Sequence, residues 1–141
     1  MMKRLMPILV LLAVAACGKD TPAGPSPTTS APYSQTDLVI GTGATAATGN
    51  NVTLAYTGWL HDSTKPDAKG AVFDSGTIGP FVLGTGRVIR GWDQGIVGMR
   101  VGGQRRLVIP PELAYGNNSP DTTKIPQNAT LVFDVTLNAV Q

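Results

Sequence analysis

The sequence predicts an α+β domain in which a curved antiparallel β-sheet wraps around one short α-helix. Apolar and polar residues alternate from Leu131 to Ala139 and again from Val52 to Tyr56. This period of two indicates strands with one buried face. Ile89, Trp92 and Ile96 recur instead at the spacing of one side of a helix. These patterns favour one short helix lying across a sheet.

The first 16 residues have the features of an export signal. Lys3 and Arg4 precede an apolar run of 12 residues, from Leu5 to Ala16, that ends in small residues. A helix needs about 20 apolar residues to cross a bilayer, so this run is too short for a permanent anchor. Residues 1–16 are therefore predicted to be a signal peptide.

The only cysteine, Cys17, follows Val14-Ala15-Ala16 in a pattern that resembles the bacterial lipobox, where the cysteine becomes the lipidated first residue of the mature protein. The alternative is an ordinary cleaved signal followed by a chance cysteine. Lipidation predicts a location in the cell envelope. Because Gly18 rather than aspartate follows the cysteine, we expect the outer membrane, with the domain facing the periplasm. No internal disulfide is expected.

Residues 17–36 are rich in proline, serine and threonine, which predicts a flexible tether behind the lipidated cysteine. The remaining residues, 37–141, have the length of one compact domain. We expect the domain to be a monomer.

Additional strands are expected within the domain. Gln104 to Ile109 is a clear candidate, and it ends at Pro110-Pro111, which cannot continue a ladder of hydrogen bonds. Shorter strands are expected near residues 37–40, 71–74 and 81–83.

The helix is expected between Val88 and Met99. Each glycine in a helix costs up to about 1 kcal/mol relative to alanine. Packing must therefore hold this segment in place, and its small residues allow the sheet to approach closely: Gly91, Gly95 and Gly98.

Charge and histidine content exclude several classes of function. The formal charge of +2 falls to zero once Lys3 and Arg4 are removed, so no nucleic-acid partner is expected. His61 is the only histidine, which nearly excludes a histidine-based triad and a multi-histidine zinc site. We expect no metal and no cofactor. A cluster of arginines is interpreted as a solvated face with local ion pairs, such as Arg90 with Asp93: Arg87, Arg90, Arg100, Arg105 and Arg106.

Five aromatic residues lie in separate segments, each beside a glycine, an aliphatic residue or a carboxylate: Tyr56, Phe73, Trp92, Tyr115 and Phe133. Any one of them alone is more often a core residue. Together they predict an apolar cup with one or two polar groups, which suits a ring-shaped ligand.

The order and spacing of the motifs resemble the FKBP-type peptidyl-prolyl cis-trans isomerases over Asp37 to Gln141. The motifs are Tyr56-Thr-Gly58, Phe73-Asp-Ser75, Gly84-Thr-Gly-Arg-Val-Ile-Arg-Gly-Trp92, Ala114-Tyr-Gly116 and Ala129-Thr-Leu-Val-Phe-Asp134. The resemblance implies an enzyme that accelerates rotation about X-Pro bonds in exported proteins. It also implies proline-containing polypeptides as substrates and a macrolide as an inhibitor.

The resemblance implies roles for individual residues as well. Trp92 would be the floor of the pocket, and the backbone N–H of Ile89 would hold a substrate carbonyl. The catalytic set would be Asp74, Tyr56 and Tyr115. The residues expected to contact substrate are Tyr56, Phe73, Asp74, Phe81, Val88, Ile89, Trp92, Tyr115, Ile125 and Phe133.

This chemistry needs neither nucleophile nor metal. Rotation about the amide faces a barrier of about 18–20 kcal/mol because conjugation is broken. A dry pocket that favours the twisted amide over the planar one lowers that barrier. The alternative is a non-catalytic module that binds proline-containing segments as a chaperone on the cell envelope.

The sequence departs from the family pattern at the rim of the expected pocket. Gly79 replaces a common phenylalanine, and a basic residue often found between Phe73 and Phe81 is absent. Substrate preference and macrolide affinity are therefore expected to differ from those of typical members.

Overall fold

The computed structural model describes residues 29–141. The predicted signal peptide, Cys17 and the first part of the predicted tether lie outside these residues. None of the helices in the described part is long and apolar enough to span a membrane. The elements are β1 (Ser34–Val39), β2 (Asn51–His61), a 3-10 turn (Pro66–Ala68), β3 (Lys69–Val82), α1 (Arg90–Gly95), β4 (Gln104–Ile109), a second 3-10 turn (Pro111–Leu113) and β5 (Leu131–Val140).

The five strands form one sheet in the order β1-β4-β5-β2-β3, and every neighbouring pair is antiparallel. The predicted fold class is confirmed. β5 is the central strand, and its Phe133 lies opposite Leu107 of β4 and Gly58 of β2. Alternation along β5 therefore directs Phe133 and its apolar neighbours to the buried face, as the period of two predicts.

Two strand predictions are corrected. The segments expected near residues 71–74 and 81–83 belong to one continuous strand, β3, which pairs with β2 along its whole length. β1 begins at Ser34, opposite Val108, so residues 34–36 belong to the sheet rather than to the tether. Every residue of β1 is exposed. The strand expected near residues 37–40 thus overlaps the end of β1, whereas residues 34–36 are polar and only the backbone pairing reveals them as part of the strand.

Helix α1 is shorter than expected and is held by packing. It begins after Ile89, whose backbone is extended, and it ends before Gly98, whose φ of +92° is left-handed. A Cβ at Gly91 would lie 2.5 Å from Cγ2 of Ile109, and one at Gly95 would lie 2.7 Å from Cδ2 of Leu107. The predicted close approach of helix and sheet is confirmed at these two glycines.

Arg105 is not part of a solvated face. It is 7% exposed on the inner side of β4. Its guanidinium donates hydrogen bonds to the carbonyls of Gly95 (2.8 Å) and Val97 (3.1 Å) and to Asp37 (2.6 Å). Carbonyls at the end of a helix have no partners within it, so a cation there is favourable. Arg105 thus connects α1, β4 and β1.

Candidate active site

A cavity of about 410 Å³ opens between α1 and the strands β2, β3 and β5. This volume lies in the range of small-molecule sites. Its walls come from three strands, helix α1 and two loops that are far apart in sequence. The lining residues are Tyr56, Phe73, Asp74, Ile78, Gly86, Arg87, Val88, Ile89, Trp92, Tyr115 and Phe133.

Aromatic rings form the floor of the cavity. Trp92 is 5% exposed, and its ring centroid lies 5.1 Å from that of Tyr56 and 5.2 Å from that of Phe133. Phe73 lies 5.5 Å from Phe133, and all these contacts are edge-to-face. Each such pair is worth about 0.5–1.5 kcal/mol beyond its buried area. The floor is therefore rigid as well as apolar.

Gly58 makes this ring arrangement possible. A Cβ at this position would lie 2.6 Å from Cζ of Phe73 and 2.8 Å from Cε1 of Phe133. Real contacts are longer, so any larger residue on β2 displaces at least one ring. The glycine after Tyr56-Thr57 is thus part of the site without lining it.

One carboxylate stands at the edge of the floor in a defined orientation. The hydroxyl of Tyr56 donates to Oδ2 of Asp74 at 2.8 Å, and the backbone N–H of Ser75 donates to Oδ1 at 2.9 Å. Burial, together with this hydrogen bond and the negative charge of Asp74, raises the pKa of Tyr56 to about 12. The tyrosine therefore stays neutral and keeps its proton on the bond.

Two of the cavity's hydrogen-bond donors that are unused within residues 29–141 have the geometry to bind a substrate backbone. The hydroxyl of Tyr115 has no partner there, and neither has the backbone N–H of Ile89. Burial, and next the negative charge of Asp74, raise the pKa of Tyr115, so its hydroxyl remains a donor. Both donors are suited to peptide carbonyls. The predicted contact through Ile89 fits this geometry.

The loop before α1 is tied to the helix by Asp93. Its carboxylate accepts hydrogen bonds from the backbone N–H groups of Gly84 (2.8 Å) and Gly86 (3.0 Å). Both glycines have left-handed φ angles, +89° and +80°, which suit glycine. The expected ion pair of Asp93 with Arg90 does not form among the described residues; the carboxylate holds the loop instead.

Eight of the ten predicted contact residues line the cavity: Tyr56, Phe73, Asp74, Val88, Ile89, Trp92, Tyr115 and Phe133. The other two predicted residues do not line it. Phe81 is 5% exposed and packs in the core opposite Val52, toward the start of β2. Ile125 is 6% exposed and belongs to the same core. Their contact with substrate stays a prediction.

Sequence reasoning missed Ile78, Gly86 and Arg87. Ile78 is the only large apolar residue between Phe73 and Phe81, which was an available signal. Arg87 lies inside a quoted motif, beside two predicted contact residues. The interpretation as a solvated face does not place it at the cavity, because the charge of a residue alone does not show which surface it lines.

Comparison with known proteins identifies the family. Residues 43–138 match the sequence profile of the FKBP-type peptidyl-prolyl cis-trans isomerases. The chain is 45% identical over 106 residues to FK506-binding protein 1B of Neurospora crassa, covering 73% of this chain and 93% of that protein. It is 44% identical over 101 residues to an FK506-binding protein of Neisseria meningitidis, covering 72% and 89%. The chain belongs to the FKBP-type peptidyl-prolyl cis-trans isomerase family.

Other relatives are much longer. FK506-binding protein 4 of Chaetomium thermophilum is 47% identical over 104 residues, which are 72% of this chain but 20% of that protein. Among solved structures, AtFKBP13 aligns with a TM-score of 0.64 at 35% identity, covering 77% of this chain and 93% of that one. FkpA from Escherichia coli aligns with a TM-score of 0.63 at 36% identity, covering 77% and 48%.

Proposed function

We propose that this protein catalyses cis-trans rotation of X-Pro bonds in polypeptides. The observation that carries the proposal is the aromatic floor formed by Trp92 and its neighbouring rings, bordered by the unused donors of Ile89 and Tyr115. A prolyl ring on this floor leaves water, while its neighbouring carbonyls face the two donors. Membership of the isomerase family supports the same reaction.

The mechanism is binding of the twisted amide in preference to the planar one. Unaided rotation takes tens to hundreds of seconds. Reaching about 100 turnovers per second requires roughly four decades of rate, or about 5.4 kcal/mol. A twisted amide has lost conjugation, so it tolerates a dry pocket better than the planar form does. The two donors fix the backbone on either side of the bond, and Asp74 lies at the polar edge.

A protease-free assay with an Ala-Leu-Pro-Phe peptide tests the proposal. We expect acceleration over the spontaneous rate, inhibited when a macrolide such as FK506 fills the same pocket. No acceleration at micromolar enzyme contradicts catalysis. NMR shift perturbation detects whether the peptide binds. If it binds but its cis and trans isomers do not exchange faster, the pocket is a non-catalytic binding module with a chaperone role.

We propose further that the protein is a lipid-anchored monomer acting on exported proteins, at the outer membrane and facing the periplasm. The support is in the sequence: a basic and apolar leader, Cys17 after small residues and Gly18 next to it. One acyl chain alone binds a membrane marginally, so stable attachment needs the several chains of a lipoprotein.

Replacing the lipidated residue tests this anchor. We expect the full chain to fractionate with membranes and Cys17→Ser to appear in the soluble fraction, with isomerase activity retained. Membrane fractionation followed by immunoblotting measures both. A Cys17→Ser protein that still fractionates with membranes argues against lipidation and for another mode of attachment.

A further inference from the structure

Two charged side chains lie on the wall of the cavity, and they differ in their bonding. Asp74 on β3 accepts hydrogen bonds from Tyr56 and Ser75. Arg87 lies in the loop before α1 and is exposed. Within residues 29–141 its guanidinium makes no hydrogen bond and no ion pair. The wall therefore carries one cation whose five donors are available to a ligand.

Arg87 is the one arginine, of the five in residues 29–141, that combines unused donors with a position on the cavity wall. Arg100, Arg105 and Arg106 each donate to a backbone carbonyl or a carboxylate. Arg90 also has no partner within residues 29–141, but it lines a different surface hollow, together with Val97 and other residues. Only Arg87, of these five, both lines the cavity and has unused donors.

The backbone beneath Arg87 is held in place. Gly86, the preceding residue, donates to Asp93 of α1 at 3.0 Å, and Val88 and Ile89 after it line the cavity. Arg87 therefore stands two residues before the N–H that is available for a substrate carbonyl. A polypeptide bound through that N–H passes close to the guanidinium, which binds carboxylates with paired hydrogen bonds.

We propose that Arg87 is a specificity residue that favours polypeptides with an acidic side chain next to the proline. This inference rests on the proposed isomerase function and names its preferred substrates. The opposing charge of Asp74 is not neutralised by any cation among the described residues, and it disfavours an acidic side chain elsewhere in the cavity. The acidic residue is therefore selected on the Arg87 side.

Matched peptides that differ only in charge test this inference. One pair has Glu or Gln before proline, as in Ala-Glu-Pro-Phe and Ala-Gln-Pro-Phe, and a second pair has Glu or Gln after it. The quantity measured is the ratio of kcat/KM for Glu to kcat/KM for Gln within each variant, at low ionic strength. A general loss of activity cancels from this ratio. Arg87→Gln is compared with the matched control Arg90→Gln.

We expect Arg87→Gln to lower the ratio about two- to fivefold for at least one pair, the range of an exposed ion pair. Arg90→Gln should leave the ratio unchanged, and added salt should lower it in the unmodified protein. An unchanged ratio in Arg87→Gln, or an equal fall in both variants, overturns the inference. A different result contradicts the proposed function itself. In that case the unmodified protein accelerates isomerisation of neither these four peptides nor the Ala-Leu-Pro-Phe peptide.

Discussion

At the scale of single residues, Trp92 has the largest expected effect on function. It contacts two rings of the floor and is nearly fully buried, yet its indole Nε1 has no hydrogen-bond partner in the described residues. A buried unsatisfied donor costs about 1–3 kcal/mol. The indole is thus not optimal for stability, which is consistent with a role in binding.

Substitutions at Trp92 and Asp74 test how much each residue contributes to activity. We expect Trp92→Ala to reduce kcat/KM by about 10²-fold or more, because the floor loses its contact with the prolyl ring and this factor corresponds to about 2.7 kcal/mol of transition-state stabilisation. Trp92→Phe should retain more activity because the apolar floor remains. Asp74→Ala should reduce kcat/KM less than Trp92→Ala does. Peptide isomerisation rates measure all three, and an Asp74→Ala defect larger than that of Trp92→Ala would indicate a different mechanism.

The pH profile of activity follows from the tyrosines of the cavity. The pKa of Tyr56 is about 12, and that of Tyr115 is raised above its usual 10.0, so both hydroxyls stay protonated at neutral pH. The lining residues include no histidine, lysine or cysteine. We therefore expect kcat/KM to be flat between about pH 6 and pH 9. A bell-shaped profile in this range would reveal a titrating group that the mechanism does not include.

At the scale of elements, glycines determine how closely strand and ring or strand and helix approach. The segment Arg90–Gly95 is too short and too rich in glycine to be stable alone, and it depends on contacts with β4. On β2, Gly58 lets two phenyl rings cross the strand. Helix α1 and the aromatic floor are therefore both positioned by glycines, which leave room for a close contact because they have no side chain.

Adding one methyl group on β2 tests this packing. We expect Gly58→Ala to destabilise the fold by about 1–3 kcal/mol through overpacking and to raise KM by displacing a ring. The matched control is Gly76→Ala on β3, where a Cβ would lie 3.9 Å from the Tyr56 hydroxyl and meets no clash. Urea unfolding and peptide kinetics measure both effects. If Gly58→Ala and Gly76→Ala had the same free energy of unfolding and the same KM, the rings would be able to move aside without cost.

At the scale of the whole molecule, one ion-pair cluster on the outer face of the sheet connects three strands. Asp134 on β5 accepts from Lys69 at the start of β3 (2.9 Å) and from Arg106 on β4 (2.7 and 3.0 Å). Lys69 also lies 4.2 Å from the ring centroid of Trp59 on β2. The cluster therefore links segments that are distant in sequence.

Acid stability should depend on this cluster. Burial acts to raise the pKa of Asp134, but hydrogen bonds from Arg106 and Lys69 outweigh it and hold the pKa below its usual 3.8. A lowered folded-state pKa gives stabilisation that is complete above the unfolded-state pKa and lost as the pH falls through the folded-state pKa. The free energy of unfolding should therefore decrease below about pH 4.

The variant Asp134→Asn should lower the free energy of unfolding at pH 7 by about 1–3 kcal/mol, because two cations lose a charged acceptor. It should also show a weaker decrease below about pH 4. Asp67→Asn is the control, since its carboxylate is exposed and lies 3.4 Å from Arg106. Denaturant titrations at several pH values measure the free energy of unfolding of the unmodified protein and of both variants. The same pH dependence of this free energy in all three proteins would contradict the role of Asp134.

The fold class and the strands β2, β4 and β5 could be predicted from local periodicity, which a linear chain displays directly. Eight residues of the cavity could be predicted from the resemblance of the sequence motifs to the isomerase family. The tertiary structure decided which apolar residues face the cavity. A register shift between Val52 and Leu54 in the β2–β3 pairing brings Phe81 opposite Val52 and Ile78 opposite Leu54, so two residues that are three apart on β3 face the same side. Of the two, Ile78 lines the cavity, whereas Phe81 packs in the core toward the start of β2.

The surroundings of the charged residues are likewise set by how the chain folds. Arg105 and Arg87 are alike in sequence, yet one is buried at the end of α1 and the other has unused donors at the cavity. The first half of the edge strand β1, residues 34–36, likewise has no apolar residue and pairs because β4 offers free backbone groups. Backbone pairing and long-range charge contacts depend on which segments meet, and this is set by the register of the sheet rather than by the neighbours of a residue in the chain.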